Sequence, residues 1–235
     1  MEFVMGSQKI IAVIIPARNE AEAIGQVLSR IPRQIDGMSV FPIVVDDGSS
    51  DQTARIARLG GAHVVSHLTN LGVGAATRTG LQAAQALDAG LVVTMDADGQ
   101  HDPGEIQRLV RCLVEGQFDV VIGSRLQNYR GMPVTRFAAN LLLNAVTFIV
   151  YRKIVSDSQS GFKVFSREAV NKLDLRSSGY EICSEIVGEI YRKELSYKSL
   201  PIKAVYTKYS RAKGQHFLNG VNLLVELFIR LMRRV

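Results

Sequence analysis

The chain has 235 residues, 47% hydrophobic and 21% charged, which excludes a disordered, collagen-like or multispan membrane protein and is enough for a full core. Two cysteines, Cys112 and Cys183, are too few for a disulfide framework or a four-cysteine zinc site and fit a reducing compartment. The net charge of +6 arises entirely within residues 190–235, which hold ten Lys and Arg against two Asp and Glu. Such asymmetry fits a solubilising tail or a polyanionic partner: nucleic acid, an anionic membrane surface or a phosphorylated substrate.

In chain order, Lys9–Pro16 reads as a buried strand; its apolar run is too short, and lacks the basic leader, for a secretory signal. Asn19 is placed as a helix cap with Glu22 completing a capping box, and Ile24, Val27, Leu28 and Ile31 share one face before Pro32. Ser39–Asp46 is a second strand, Ser50 or Asp51 opens a short helix ending at Gly60-Gly61, and Ala62–Ser66 is a third strand. A helix over Ala75–Leu87 precedes a strand over Leu91–Met95. Asp102-Pro103-Gly104-Glu105 starts a helix with Ile106, Leu109, Val110 and Leu113 on one face, and Val120–Ile122 is the fifth strand. Thr135–Tyr151 is helical, Phe162–Phe165 a short strand, Glu181–Lys193 amphipathic, Leu195–Tyr206 extended and Phe217–Val235 a last helix. Repeated βα units imply an α/β fold whose mainly parallel sheet has helices on both faces and binds ligands at the carboxyl ends of its strands.

Acidic residues gather at two of those ends. Asp46-Asp47-Gly48-Ser49-Ser50-Asp51 follows the second strand and Asp96-Ala97-Asp98-Gly99-Gln100-His101-Asp102 the fourth. Carboxylates on alternate residues repel unless a cation sits between them, and Mg²⁺ or Mn²⁺ would also bridge to a diphosphate. Asp51 and Asp102 read instead as helix caps. Gly72-Val73-Gly74 lacks the third glycine of a dinucleotide fingerprint. His63, His67, His101 and His216 have no metal-triad spacing, and His101 either lines the site or packs a helix start. Glu181 and Glu185, four apart, either form a solvated face or line an acceptor site.

The ordered set Ile15-Pro16-Ala17-Arg18-Asn19-Glu20, Val45-Asp46-Asp47-Gly48-Ser49, Asn70-Leu71-Gly72, Asp96-Ala97-Asp98-Gly99-Gln100-His101, Gly123-Ser124-Arg125 and Asp157-Ser158-Gln159-Ser160-Gly161-Phe162 resembles the inverting family 2 glycosyltransferases. Within them it is similar to the dolichyl-phosphate mannose synthase and polyprenyl-phosphate glycosyltransferase group. The resemblance spans roughly residues 9–213. It implies one GT-A (nucleotide-diphosphosugar transferase) domain over residues 1–213, followed by an amphipathic basic helix over 214–235 that is not a separate domain. By position it implies that Pro16, Arg18 and Glu20 hold the nucleotide, with Val45 and Asp47 as a second contact, Asp47 toward the base. Asp96, Ala97 and Asp98 become the metal and diphosphate motif, with Gln100 a further metal contact and Mg²⁺ or Mn²⁺ the cofactor. Arg125 lies near the phosphates, Arg136 where acceptor or diphosphate charge is neutralised, and one of Lys208, Arg211 and Lys213 closes over the donor.

The implied reaction is inverting transfer from a nucleoside-diphosphate sugar to a lipid phosphate. That acceptor is already anionic and needs a cationic berth, whereas a saccharide hydroxyl would need a base, for which Asp157 is the candidate; alternatively Asp157 only orders the acceptor loop. The first-strand loop lacks the Gly-rich, basic character of a pyrophosphorylase, no nucleic-acid recognition motif is present, and the acidic motif argues against a non-catalytic membrane-binding module. Phe217, Val221, Leu224, Phe228 and Leu231 form an apolar stripe with Arg233-Arg234 after it. The stripe packs on the core or, together with Phe137–Tyr151, rests on a membrane surface. The expected location is the cytoplasmic face of a membrane, held peripherally.

Overall fold

A computed structural model describes residues 10–128, 134–151, 155–203 and 205. Strand β1 (Ile10–Ala17) leads to helix α1 (Ile24–Ser29), the short β2 (Gln34–Ile35), β3 (Met38–Asp46), α2 (Thr53–Leu59), β4 (His63–Ser66), α3 (Val73–Ala86) and β5 (Leu91–Thr94). A 3₁₀ turn over Pro103–Glu105 enters α4 (Ile106–Gly116), followed by β6 (Val120–Ser124) and α5 (Val134–Tyr151). The described part closes with β7 (Lys163–Ser166), α6 (Arg167–Lys172), α7 (Ile182–Arg192) and β8 (Tyr197–Pro201).

The strands form one sheet in the order β2-β3-β1-β5-β7-β6-β8, with β4 also paired to β3. Strands β1, β3, β4 and β5 are mutually parallel and β6 is parallel to β8, while β7 runs antiparallel to both its neighbours. The expected mainly parallel sheet is therefore present, with β7 and the short edge strand β2 reversed. The loops after β1, β3, β5 and β6, and the segment entering β7, consequently share one edge.

Strand alternation divides the core between two faces. Ile11, Val13, Ile15, Val93 and Val121 pack with Ile24, Val27 and Leu28 of α1 and Ile106, Leu109, Val110 and Leu113 of α4. Ala12, Ile14, Val45, Val92 and Ile122 pack on the other side with Ala76, Leu81 and Ala84 of α3 and Ile182, Ile186, Val187 and Ile190 of α7. Each large side chain so buried is worth about 1.5–3 kcal/mol. Helix α3 lies so close to β1 that a Cβ on Gly80 would stand 2.2 Å from Ile14 Cγ2.

One local expectation is corrected, one is met, and one cap is new. Asn19 does not cap α1: it sits at φ 52°, the helix starts after Ala23, and no side chain caps it. Asp102 does cap, accepting from the Gly104 N–H at 3.0 Å, and the turn it opens is 3₁₀ before becoming α4. Ser166, unanticipated, caps α6 by accepting from the Ala169 N–H at 3.0 Å. The expected helix over 217–235 lies outside the described residues.

Candidate active site

The loops after β1 and β3 are stitched together. The Asn19 N–H donates to Ser49 Oγ at 2.9 Å, and the Ser50 N–H donates to Asn19 Oδ1 at 2.8 Å. The Glu20 N–H donates to Thr53 Oγ1 at 2.7 Å, and the Ala21 N–H to Asp51 Oδ2 at 3.1 Å. Asn19 thus serves the fold by joining loops. Pro16 stands opposite Val45 in the β1–β3 register. The Val45 side chain is buried in the core, so only its backbone faces the edge. Arg18 is exposed and Glu20 half-buried at the mouth of the same loop.

Asp47 is 3% exposed. Its Oδ1 accepts from the Leu71 N–H at 2.9 Å and lies 2.8 Å from His67 Nδ1, while Oδ2 accepts from the Gly72 N–H at 2.8 Å. The other ring nitrogen of His67 is 3.0 Å from Thr79 Oγ1. A carboxylate has about four acceptor sites, so Asp47 spends most of its capacity holding the Asn70-Leu71-Gly72 segment at the start of α3.

After β5 the chain alternates. Ala97 turns into the core and leaves Asp96 and Asp98 at the edge, with the Asp96 side chain 44% exposed. Gln100 wraps Asp98, its N–H reaching Oδ1 at 2.9 Å and its Nε2 reaching Oδ2 at 2.6 Å. Burial, and then the charge of Asp96, push the Asp98 carboxyl above its ordinary range, against the opposing pull of the Gln100 N–H, His101 and Arg125. A divalent oxygen-seeking ion removes that repulsion, so the pair fits one. Among the described residues no group of three or more His, Cys, Asp or Glu is arranged to hold a metal. Two carboxylates without a third are the arrangement in which substrate phosphate and water complete the coordination.

His101 is buried against Phe162, ring centroids 5.1 Å apart, and its Nδ1 accepts from the Asp96 N–H at 3.1 Å. Acceptance at Nδ1 places the proton on Nε2, which has no hydrogen-bond partner among the described residues. Burial pushes this imidazole below its ordinary value and keeps it neutral. Asp96 is also approached by Gly161, where a Cβ would lie 2.4 Å from Oδ1.

Asp157, wholly buried, takes Arg125 in a fork. Oδ2 accepts from the Arg125 backbone N–H at 3.0 Å and from Nε at 2.9 Å, and Oδ1 accepts from Nη2 at 3.0 Å. Burial alone would raise this carboxyl, but Arg125, helped by Lys163, outweighs it and holds the group below the usual carboxylate range. The buried Lys163 ammonium donates to the Ser160 carbonyl. An acid this firmly ionised and engaged is a poor proton acceptor.

Sequence reasoning missed the wall opposite the acidic motif. Three glutamates, Glu181 at the N-cap of α7 and Glu185 and Glu189 within it, catch the backbone of residues 174–179. Glu189 accepts from the Asp174 N–H at 3.0 Å, Glu185 from Arg176 at 3.1 Å and Ser177 at 2.8 Å, and Glu181 from Ser178 at 3.1 Å and Gly179 at 3.0 Å. Glu181 and Glu185 are buried, so they do not form a solvated face. The segment in turn caps α3, the Ser178 carbonyl accepting from the Gly74 N–H at 2.7 Å. It ends at Tyr180, half-exposed, whose phenol is pushed up by burial and by the negative charge of Asp96, Asp98 and Glu20. The Glu181/Glu185/Glu189 spacing was the available signal.

Arg136 falls in the first turn of α5. Lys208, Arg211 and Lys213 lie outside the described residues. The chain leading to them passes the acidic motif, because the Val205 N–H donates to the Gln100 carbonyl at 2.9 Å.

Known proteins resemble this chain in sequence and in fold. The chain is 34% identical over 252 residues to UDP-N-acetylglucosamine–dolichyl-phosphate N-acetylglucosaminyltransferase of Methanococcus voltae, covering 97% of this chain and 99% of the relative. It is 30% identical to dolichol-phosphate mannosyltransferase of Pyrococcus furiosus, covering 95% of this chain and 64% of that one. The fold matches the crystal structure of glucosyl-3-phosphoglycerate synthase from Mycobacterium tuberculosis in complex with Mn²⁺ and UDP-glucose. The TM-score is 0.73 at 24% identity, over 97% of this chain and 79% of that chain. Glycosyl transferase family 2 matches residues 12–174, and the chain is a glycosyltransferase of that family with its GT-A-like α/β fold.

Proposed function

We propose that the protein transfers a sugar, with inversion, from a nucleoside-diphosphate sugar to the phosphate of a polyprenyl or dolichyl lipid at a membrane surface. The observation that carries this reading is the state of Asp157. The carboxylate best placed to deprotonate a hydroxyl is committed to Arg125 and held ionised. A phosphate acceptor is already an anion and needs no base. Two relatives bear names of dolichyl-phosphate sugar transferases, which favours the same acceptor.

In this reading Arg18, Glu20 and Asp47 bind the nucleotide, and Asp96 and Asp98, with Gln100 steering Asp98, would hold Mg²⁺ or Mn²⁺. Such an ion supplies charge neutralisation to the departing diphosphate. The acceptor phosphate oxygen forms a bond to the anomeric carbon as the bond from that carbon to the diphosphate oxygen breaks. Arg125 and Arg136 orient and neutralise the anionic groups, and a cation among Lys208, Arg211 and Lys213 closes over the donor. Among the described residues no helix is long and apolar enough to cross a membrane. Helix α5 exposes Leu141, Leu142, Phe148 and Ile149, an apolar stripe suited to the headgroup boundary on the cytoplasmic side.

The test is incubation with radiolabelled sugar nucleotides, Mn²⁺ and polyprenyl phosphate in vesicles, followed by solvent partition. Label in the organic phase, released by mild acid as free sugar, is the expected result. Label transferred only to a water-soluble acceptor, such as phosphoglycerate or a saccharide, overturns the lipid acceptor.

A further inference from the structure

Helix α5 is apolar apart from a few positions, and two of its polar side chains, Asn144 and Thr147, turn toward the segment that carries Asp157. The Ser158 N–H donates to Asn144 Oδ1 at 2.8 Å, and Asn144 Nδ2 donates to the Ser156 carbonyl at 3.0 Å. One side-chain amide therefore grips the peptide groups on both sides of Asp157. One turn along, the buried Thr147 hydroxyl is 3.2 Å from Ser158 Oγ and 3.1 Å from Ser184 Oγ of α7, and Gln159 Nε2 donates to Ser184 Oγ at 2.7 Å. Exposed Leu141, Leu142, Phe148 and Ile149 lie elsewhere on the same helix.

We infer that Asn144 is a positioning residue: it fixes Asp157, hence the Arg125 guanidinium, relative to the helix that carries the exposed apolar stripe. Asp157 has no rotational slack of its own, since both oxygens are taken by Arg125. Its place is set by its backbone, and Asn144 holds that backbone on either side. A displacement of α5 is transmitted through the amide to Asp157 and from there to the guanidinium. An asparagine inside a helix is less favourable than alanine, and this one is matched at both its donor and its acceptor. The inference rests on the proposed role of Arg125 at an anionic group, and its test separates the two.

Asn144→Ala is compared with the wild type in three measurements. The first is the ¹⁵N-resolved Arg125 Nε–H resonance, which reports the hydrogen bond to Asp157. The second is calorimetric affinity for UDP and GDP with Mn²⁺. The third is the KM for polyprenyl phosphate in anionic vesicles. The Arg125 signal should shift or broaden, nucleotide affinity should stay within about twofold, and KM for the lipid phosphate should rise about 10–100-fold, the scale of an ångström misplacement. An unchanged Arg125 signal overturns the inference whatever the acceptor. Parallel loss of nucleotide affinity and transfer also overturns it, because that marks general disorder. A shifted signal with no lipid-phosphate turnover in either protein upholds the inference and overturns the acceptor reading. If Asn144→Ala does not fold, Asn144→Asp keeps the acceptor for Ser158 and loses the donor to Ser156, and the same shift is expected.

Discussion

Arg125 and Asp157 are joined by three hydrogen bonds between 2.9 and 3.0 Å, one of them from the arginine's own backbone N–H, so the carboxylate fixes both the guanidinium and the end of β6. Removing one partner of such a buried pair strands the other charge, at a cost of about 3–5 kcal/mol. Asp157→Asn should lower stability on that scale in urea denaturation and abolish transfer. Because the folded carboxyl lies below its unfolded value of about 4, the pair stabilises the protein above that pH and loses the contribution as pH falls through the folded value. The variant should lack this acid-dependent component, and identical acid unfolding profiles would contradict the assignment.

Asp98 has the opposite sign. Its carboxyl is raised by burial and by Asp96, so its ionised form works against the fold at neutral pH. Asp98→Asn should leave melting unchanged or slightly raised when divalent ions are absent, and should remove Mn²⁺-dependent transfer. In the wild type, Mn²⁺ affinity should weaken as pH falls toward the raised carboxyl value, because protons compete for the same oxygen. A clear loss of metal-free stability in the variant would show Asp98 to be chiefly structural.

Asp47 serves stability as well as any nucleotide. In Asp47→Ala the Leu71 and Gly72 N–H groups lose a charged acceptor, each such bond being worth about 1.5–3 kcal/mol. Hydrogen exchange at those two amides should accelerate, and nucleotide affinity should fall with it. Unchanged exchange would mean that the 67–72 segment is held by other contacts.

The α7 glutamates make a graded prediction. Glu185→Ala should destabilise more than Glu185→Gln, because glutamine keeps one oxygen for the Arg176 and Ser177 amides. Thermal melting of the two variants checks the order, and equal melting points would refute it.

On the surface, Leu142→Glu should leave the melting temperature within about 2 °C, since exposed substitutions fall within about 0.5 kcal/mol. It should weaken sedimentation with anionic vesicles at low salt. Deletion of residues 217–235 should weaken it as well, and undiminished binding in both variants would remove α5 and the 217–235 segment as the anchor.

The parallel βα half of the sheet and the acidic edge were legible in the sequence because they rest on local signals: unbroken apolar runs for buried strands, and Asp-rich turns directly after them. The strand order and the reversal of β7 were not, because pairing partners far apart in the chain leave no local signal. Asn19 misled because a cap and a loop-to-loop bridge use the same amide chemistry, and only the partner, Ser50 thirty-one residues away, tells them apart. Glu181 and Glu185 misled because helical periodicity gives a residue's face but not what lies against it; the extended 174–179 backbone that buries them has no periodic signature. Asp157 left two roles open in the sequence because its ionisation depends on Arg125 and Lys163, which become its neighbours only through the sheet.

The reversed β7 has a consequence for how the molecule can vary. The end of β6 and the start of β7 lie side by side, with Ile122 opposite Lys163 and the Gly123 N–H bonded to the Phe162 carbonyl at 2.9 Å. Everything between them, α5 included, departs from one point on the sheet edge and returns to it. The two ends of that stretch are tied to the site, through Arg125 and Asp157 and through Gly161 beside Asp96, but the α5 part between them can vary without a change in the strands that carry the loops after β1, β3 and β5. A scaffold so divided can change what receives the sugar while keeping what delivers it.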